Sequence, residues 1–331
     1  MDWLYNGQLA QSISSWYTVI ARLEEMDSGS SQGDGTKAQS SSADKVAFVL
    51  SGGGNRGALE VGVILALLEY GIRPRILVGT SVGAINSAAM AINPTLEGAR
   101  WLENLWRNVT RKDVLPDNYM SMAIRLITGR SSLFDNKRLK DYLASRLPKD
   151  MQKFADIKTA ELYITAADLR TGELRVFGID RNESVLDAVM ASSAYPLILA
   201  PWEYQGRQYV DGALVSDLPI RVAVQMKASE VYAIDVGKRQ TTKIKKSRLG
   251  VLRVIRQILN ATAYQRYIDD MGWANKLAQD KIHYIRVGGF EDVSIWDFTH
   301  ATEMIEKGHQ TGVEFLRQLS SHATVPEEKT T

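Results

Sequence analysis

The sequence predicts an α/β fold of three layers, with helices on both sides of a central, mostly parallel sheet. Three observations carry that expectation. Between 45 and 91 the chain reads strand, glycine turn, helix, strand, tight turn, helix, which is the opening of a parallel βαβα unit. The two strand candidates in it, KVAFVL (45–50) and RILV (75–78), are apolar on both faces beyond their first residues, as strands covered above and below must be. The length, 331 residues, accommodates one α/β domain of ~250 residues together with extensions.

At the N-terminus, Leu9, Ile13, Trp16, Ile20 and Leu23 recur at helical spacing and make 1–26 an amphipathic helical segment. Residues 27–45, DSGSSQGDGTKAQSSSADK, bury too little to offset the entropy of ordering and read as a flexible linker. The main domain spans 46–320. Its first helix covers 58–70 with Gly71 at the C-terminal cap, and its second covers 82–91. The stretch 95–150 reads as mainly helical, with a clear amphipathic helix at 136–147 stopped by Pro148. Further strands are expected at 162–168, 174–179, 208–210, 230–236 and 282–287. A short helix is expected at 185–191, a long one at 248–268 and a closing one at 302–319. The tail, 321–331, reads as disordered.

Composition narrows the chemistry. Lys and Arg number 40 against 38 Asp and Glu, a net charge of +2 that argues against a nucleic-acid partner. Without cysteine there is no thiolate nucleophile, disulfide or cysteine-held metal, and the 4 histidines all lie from His283 onward. No metal and no cofactor are expected. The longest near-apolar run, 61–68, is too short to span a bilayer. MDWLYNG lacks the basic start of a secretory signal, so the expected location is cytoplasmic, at most peripheral to a membrane.

Two motifs carry the functional signal. SGGGNRG (51–57) places Gly52, Gly54 and Gly57 in G-x-G-x-x-G spacing between a strand and a helix. A dinucleotide site would add an acid at the end of the next strand to hold the ribose, and Gly79-Thr80-Ser81 stands there instead. A nucleotide-binding oxidoreductase is therefore the runner-up. What remains is a tight turn whose N–H groups, at a helix N-terminus, suit an anion. GTSVG (79–83) fits G-x-S-x-G in the strand–turn–helix setting that makes a nucleophile elbow, with Gly79 and Gly83 around Ser81. The plainer reading of Ser81 is a helix cap.

A serine nucleophile needs a base. His283, His300 and His309 are the histidine candidates, and none sits in a glycine-bounded loop or beside an obvious orienting acid. Asp211, in QYVDGALVSDLP, ends a short strand before a small turn, where a carboxylate can meet a sheet-top serine; its plainer reading is an Asp-Gly turn. Asp217 nearby reads as a turn end or a cap for the next helix.

Four blocks in order, SGGGNRG (51–57), GTSVGA (79–84), SSAYP (192–196) and YVDGA (209–213), resemble the patatin-like phospholipase family from about 45 to 219. The resemblance implies a serine–aspartate dyad without histidine, Ser81 as nucleophile and Asp211 as its partner. It also implies an oxyanion hole from the Gly52–Gly53–Gly54 loop, Gly53 and Gly54 foremost, and an Arg56 that steadies this loop or meets a phosphate. Val82 and Ala213 are slightly larger than the family's common residues and narrow the crevice. The implied activity is hydrolysis of phospholipid or lysophospholipid esters; a catalytically silent lipid-binding scaffold is the non-enzyme alternative. For the lipid surface itself, 238–256 carries Lys238, Arg239, Lys243, Lys245, Lys246, Arg248, Arg253 and Arg256 with no acid. Each such charge is worth about 1 kcal/mol near an anionic bilayer. The stripe in 1–25 is a second candidate membrane contact, its plainer reading being packing on the domain or on a second copy, and the methionine-bearing 120–127 is a candidate lid or part of the acyl channel, its plainer reading being core packing.

Overall fold

The computed structural model describes residues 45–115, 128, 132–237, 250–277 and 281–323. In chain order the elements are β1 (Val46–Leu50), α1 (Gly57–Glu69), β2 (Ile76–Thr80), α2 (Val82–Ile92), α3 (Leu96–Asn108), α4 (Arg111–Val114), β3 (Ser132–Phe134), α5 (Lys137–Ala144), β4 (Glu161–Asp168), β5 (Leu174–Phe177), α6 (Val185–Ser192), β6 (Leu197–Leu199), β7 (Trp202–Tyr204), β8 (Arg207–Asp211), α7 (Ile220–Gln225), β9 (Glu230–Asp235), α8 (Gly250–Leu277), β10 (Ile282–Arg286) and α9 (Ala301–Ala323). The segments read as helix and linker in 1–44, the candidate lid at 120–127 and the basic run at 238–249 lie outside the described residues.

Five parallel strands, in the order β10-β9-β1-β2-β4, form the body of the main sheet. β8 and β5 join β4 antiparallel, and β7 extends β8. The expected mostly parallel α/β architecture is the observed one. Successive residues of a strand point to opposite faces, and Ala47, Phe48, Val49 and Leu50 all have no exposure, so both faces of β1 are covered. β4 is longer than β2, and this sets up the site. β2 occupies one edge of β4 only as far as the pair Thr80–Thr165. β8, running the opposite way, takes the same edge from Ala166 onward, with Asp211 opposite Ala166. β5 pairs with Ile164 through Ala167 and so holds the other edge. The C-terminal ends of β2 and β8 therefore meet head-on.

α1 is apolar nearly all round and buried along its whole length up to Leu68, as a helix between a sheet and another helix must be. Its one buried acid, Glu60, accepts from Asn86 Nδ2 at 2.8 Å, and Trp106 Nε1 donates to Asn86 Oδ1 at 2.9 Å, tying α1, α2 and α3 together. Burial holds the Glu60 carboxyl well above the usual range. α1 and α9 approach through glycine: a Cβ on Gly308 would lie 2.0 Å from the Leu59 carbonyl oxygen. Gly→Ala in an open helix gains about 1 kcal/mol. Here overpacking reverses the sign, and Gly308→Ala is expected to cost ~1–3 kcal/mol in thermal or denaturant unfolding. An unchanged midpoint would contradict this packing.

Some boundaries differ from expectation. The mainly helical reading of 95–150 missed β3, which pairs with β6 in a separate two-stranded sheet. α8 runs nine residues past the expected 268 to Leu277, and Asp270 in that extension is held by Arg221 and Ser216. α9 continues to Ala323, three residues into the segment expected to be tail. Among the described residues no helix is long and apolar enough to cross a membrane.

Candidate active site

The meeting of β2 and β8 brings together two side chains that are 130 residues apart: Ser81 Oγ donates to Asp211 Oδ2 at 2.6 Å. Ser81 follows β2 directly and has φ 56° and ψ −121°, a strained conformation for a residue with a side chain. The surroundings hold it there. Its N–H donates to Ser192 Oγ at 2.8 Å, and Ser192 donates in turn to the Thr165 carbonyl at 2.7 Å. The flanking glycines are explained by close backbone approach. A Cβ on Gly79 would lie 2.2 Å from the Gly83 oxygen, and one on Gly83 would lie 2.4 Å from the Leu50 oxygen. The turn therefore folds onto itself and onto the end of β1, and leaves the Ser81 hydroxyl at the N-terminus of α2.

Asp211 is 1% exposed. Its Oδ1 accepts from Ala213 N at 2.9 Å, which leaves Oδ2 for Ser81. Burial raises the carboxyl to about 7, against the pull of the Ser81 and Ala213 bonds, and the nearby Asp217 charge adds to the rise. Reference carboxylates titrate near 3.9 in water. The environment therefore makes Asp211 a far better proton acceptor at neutral pH than an exposed aspartate.

The glycine loop packs against Ser81 from β1. Ser51 Oγ accepts from Val236 N at 2.9 Å, and Asn55 Nδ2 donates to the Ser294 and Asp297 carbonyls at 3.0 and 2.5 Å. Of the three expected oxyanion donors, Gly52 requires correction. Its N–H donates to Asp217 Oδ1 and to the Asp217 carbonyl, each at 3.1 Å, and is not available to a ligand. The N–H groups of Gly53 and Gly54 have no acceptor among the described residues, and both glycines are only partly buried. Arg56, 6% exposed, ends the turn and lines the same cavity. The Gly289 amide chiefly holds the Glu291 carboxyl low, with Arg286 and Arg56 adding to it, so Arg56 faces the 286–295 loop. Val82 also lines the cavity and packs on Gly57, where a Cβ would lie 2.4 Å from Val82 Cγ2.

The histidine candidates are engaged elsewhere. His283 bonds Glu230 at 2.6 Å and stacks on Tyr232, His300 bonds Glu303, and His309 bonds Glu69. Reading the sequence missed the anchoring contacts of Ser192, Thr80, Ser216 and Asp217. Thr80 Oγ1 donates to the Ser216 carbonyl at 3.0 Å, and Ser216 Oγ donates to Asp270 of α8 at 2.9 Å. The only signals for these residues were their positions within GTSVG, SSAYP and DGALVSD.

Ser81 and Asp211 open onto a cavity of about 930 Å³. One part is apolar, walled by Ile85, Leu102, Leu105, Leu143 and Val189 from α2, α3, α5 and α6; the other meets the glycine loop, Arg56 and Asp292. Trp101 and Tyr264 also line it and are 43% and 42% exposed, so the cavity is open to the surface. A lining of this kind suits a mostly apolar ligand with a few polar contacts.

The sequence model of the patatin-like phospholipase family matches residues 48–224, more than half the chain. Patatin-like phospholipase domain-containing protein 7 of Rattus norvegicus is 32% identical over 203 residues, which are 60% of this chain and 14% of that protein. An uncharacterized NTE family protein of Mycobacterium tuberculosis, Rv2565, is 27% identical over 230 residues, 70% of this chain and 36% of that one. The chain thus corresponds to a minor part of these relatives' length. Among solved structures, VipD from Legionella pneumophila superposes with a TM-score of 0.46 at 14% identity, covering 83% of this chain and 67% of that one, a likeness that adds nothing to the sequence match. Because the matched stretch runs from the glycine loop through Ser81 to Asp211, the chain belongs to the patatin-like phospholipase family.

Proposed function

We propose that the chain is a serine acyl-ester hydrolase acting on phospholipids or lysophospholipids. The observation that supports this most is the 2.6 Å bond from Ser81 to a buried Asp211 on the wall of a largely apolar cavity. The acyl chain lies between α2, α3, α5 and α6, with its ester carbonyl beside Ser81 and the alcohol half toward the polar end. Asp211 Oδ2 takes the hydroxyl proton as Ser81 Oγ bonds to the carbonyl carbon. The carbonyl oxygen becomes anionic and accepts from Gly53 and Gly54; a preset donor of this kind is worth ~3–4 kcal/mol in the transition state. The tetrahedral adduct collapses, the ester C–O bond breaks, and the departing alkoxide takes the proton back from Asp211. Water then gives a proton to Asp211 and attacks the acyl–Ser81 ester, and the proton returns to Ser81 as the fatty acid leaves.

A fluorophosphonate bearing a long alkyl chain tests the reading directly. The expected result is one covalent adduct per chain, located on Ser81 by peptide mass spectrometry. A protein that takes no label and releases no fatty acid from lysophospholipid would instead be a silent scaffold on this fold.

A further inference from the structure

The single N–H of Gly52 is held twice by one residue, through Asp217 Oδ1 and through the Asp217 carbonyl. Asp217 is 6% exposed and belongs to the same segment as Asp211. The fit is close: a Cβ on Gly52 would lie 2.6 Å from Asp217 Oδ1, 3.3 Å from Ala213 Cβ and 3.4 Å from Ser81 Cβ. The first glycine of the loop is thus wedged between the acid segment and the serine. Fixing one peptide N–H constrains the planes that follow, and these carry the Gly53 and Gly54 donors. Hydrogen bonds to an ionised acceptor are about twice as strong as neutral ones, which suits a clamp. The clamp also has a cost, because Asp217 is a buried acid near Asp211 and Glu60 and raises the carboxyls of both. The 211–217 segment therefore reaches all three parts of the site: Asp211 on the serine, the Ser216 carbonyl on Thr80 beneath it, and Asp217 on the glycine loop.

We infer that Asp217 is a positioning residue, which through Gly52 sets the direction in which Gly53 and Gly54 present their N–H groups to the oxygen bound at Ser81. The inference rests on the hydrolase reading above. It is tested by steady-state hydrolysis of a long-chain p-nitrophenyl ester by wild type, Ser81→Ala, Asp217→Asn, Asp217→Ala and Gly52→Ala.

An asparagine keeps an oxygen acceptor for Gly52, so Asp217→Asn is expected to stay within about threefold of wild-type kcat. Asp217→Ala is expected to lose ~10- to 100-fold in kcat with little change in KM, because a misdirected oxyanion donor is felt only in the transition state. Gly52→Ala, whose Cβ displaces the carboxylate, should lose turnover in the same way. Combining it with Asp217→Ala should be no worse than the poorer single variant. Wild-type kcat in Asp217→Ala, or equal losses in the Asn and Ala variants, overturns the inference. Circular dichroism identifies a variant that has lost its fold; if Asp217→Ala has, Gly52→Ala decides by its split between kcat and KM. Full activity in Ser81→Ala sinks the hydrolase reading instead, whatever Asp217 does.

Discussion

Ser81→Ala is expected to abolish fatty-acid release from lysophospholipid and fluorophosphonate labelling while the protein stays folded. On the proposed mechanism Ser81 starts the covalent route, and its loss leaves only what the glycine donors and the cavity do for a water molecule; a fall on the order of 10⁶ in kcat is the scale set by comparable sites. The fold is expected to change little in stability. Ser81 sits at φ 56°, and its hydroxyl bonds a carboxylate that burial has already made costly to ionise. Alanine does not relieve the backbone, since Ser192 still holds the N–H at 81, so the change in unfolding free energy should be within about 1 kcal/mol of zero. Residual hydrolysis within tenfold of wild type would end the assignment of Ser81 as nucleophile.

Asp211→Asn is expected to lower kcat by ~10²–10⁴, the range that a general base supplies, because an amide cannot take the Ser81 proton. Two further readouts follow from the buried carboxyl. The ionised form is the base, so kcat/KM of wild type should rise with pH to about 7 and level off above it. Stability runs the other way. A carboxyl whose pKa is raised in the folded state holds its proton better there than in the unfolded chain. Its contribution is full below the ordinary carboxylate range and is lost as pH rises through about 7. At about 1.4 kcal/mol per pKa unit, the gap from 3.8 to about 7 amounts to ~4 kcal/mol. Asp211→Asn removes that penalty, so its melting temperature relative to wild type should be higher at pH 8 than at pH 5. A flat difference between the two pH values, or a wild-type rate profile without an acid limb near 7, would contradict the environment described for Asp211.

Ser81 and Asp211 were legible because each sits at a local pattern, a glycine-bracketed turn after an apolar strand and an Asp-Gly after a short one. How they meet was not legible. It depends on β4 outlasting β2 by three residues and on an antiparallel partner taking over the free edge, a tertiary register with no periodic trace in either strand. β3 and its partner β6, at three residues each, are too short to carry a period of two, so 95–150, which holds β3, read as mainly helical and β6 went unread. Asp217 read as a cap or turn end because that is the usual role of an acid before Leu-Pro; its partner, Gly52, lies 165 residues away. The end of α8 was misplaced for a related reason. Asp269 and Asp270 weigh against a helix on propensity, but Arg221 and Ser216 hold Asp270 in place.

The edge of β4 acts as a ruler for the chemistry. Thr80, next to the serine, and Asp211 itself are paired with adjacent residues of β4, Thr165 and Ala166, and Ser192 and Ala194 fix the backbone N–H groups of Ser81 and Asp211 on top of that pairing. The stretch from α3 to α5 can grow, shrink or be exchanged without disturbing the pair, provided β4 keeps its count and α6 keeps Ser192 on the Ser81 N–H. A chain built on this plan is free to remodel that wall of the cavity while the Ser81–Asp211 pair stays in register.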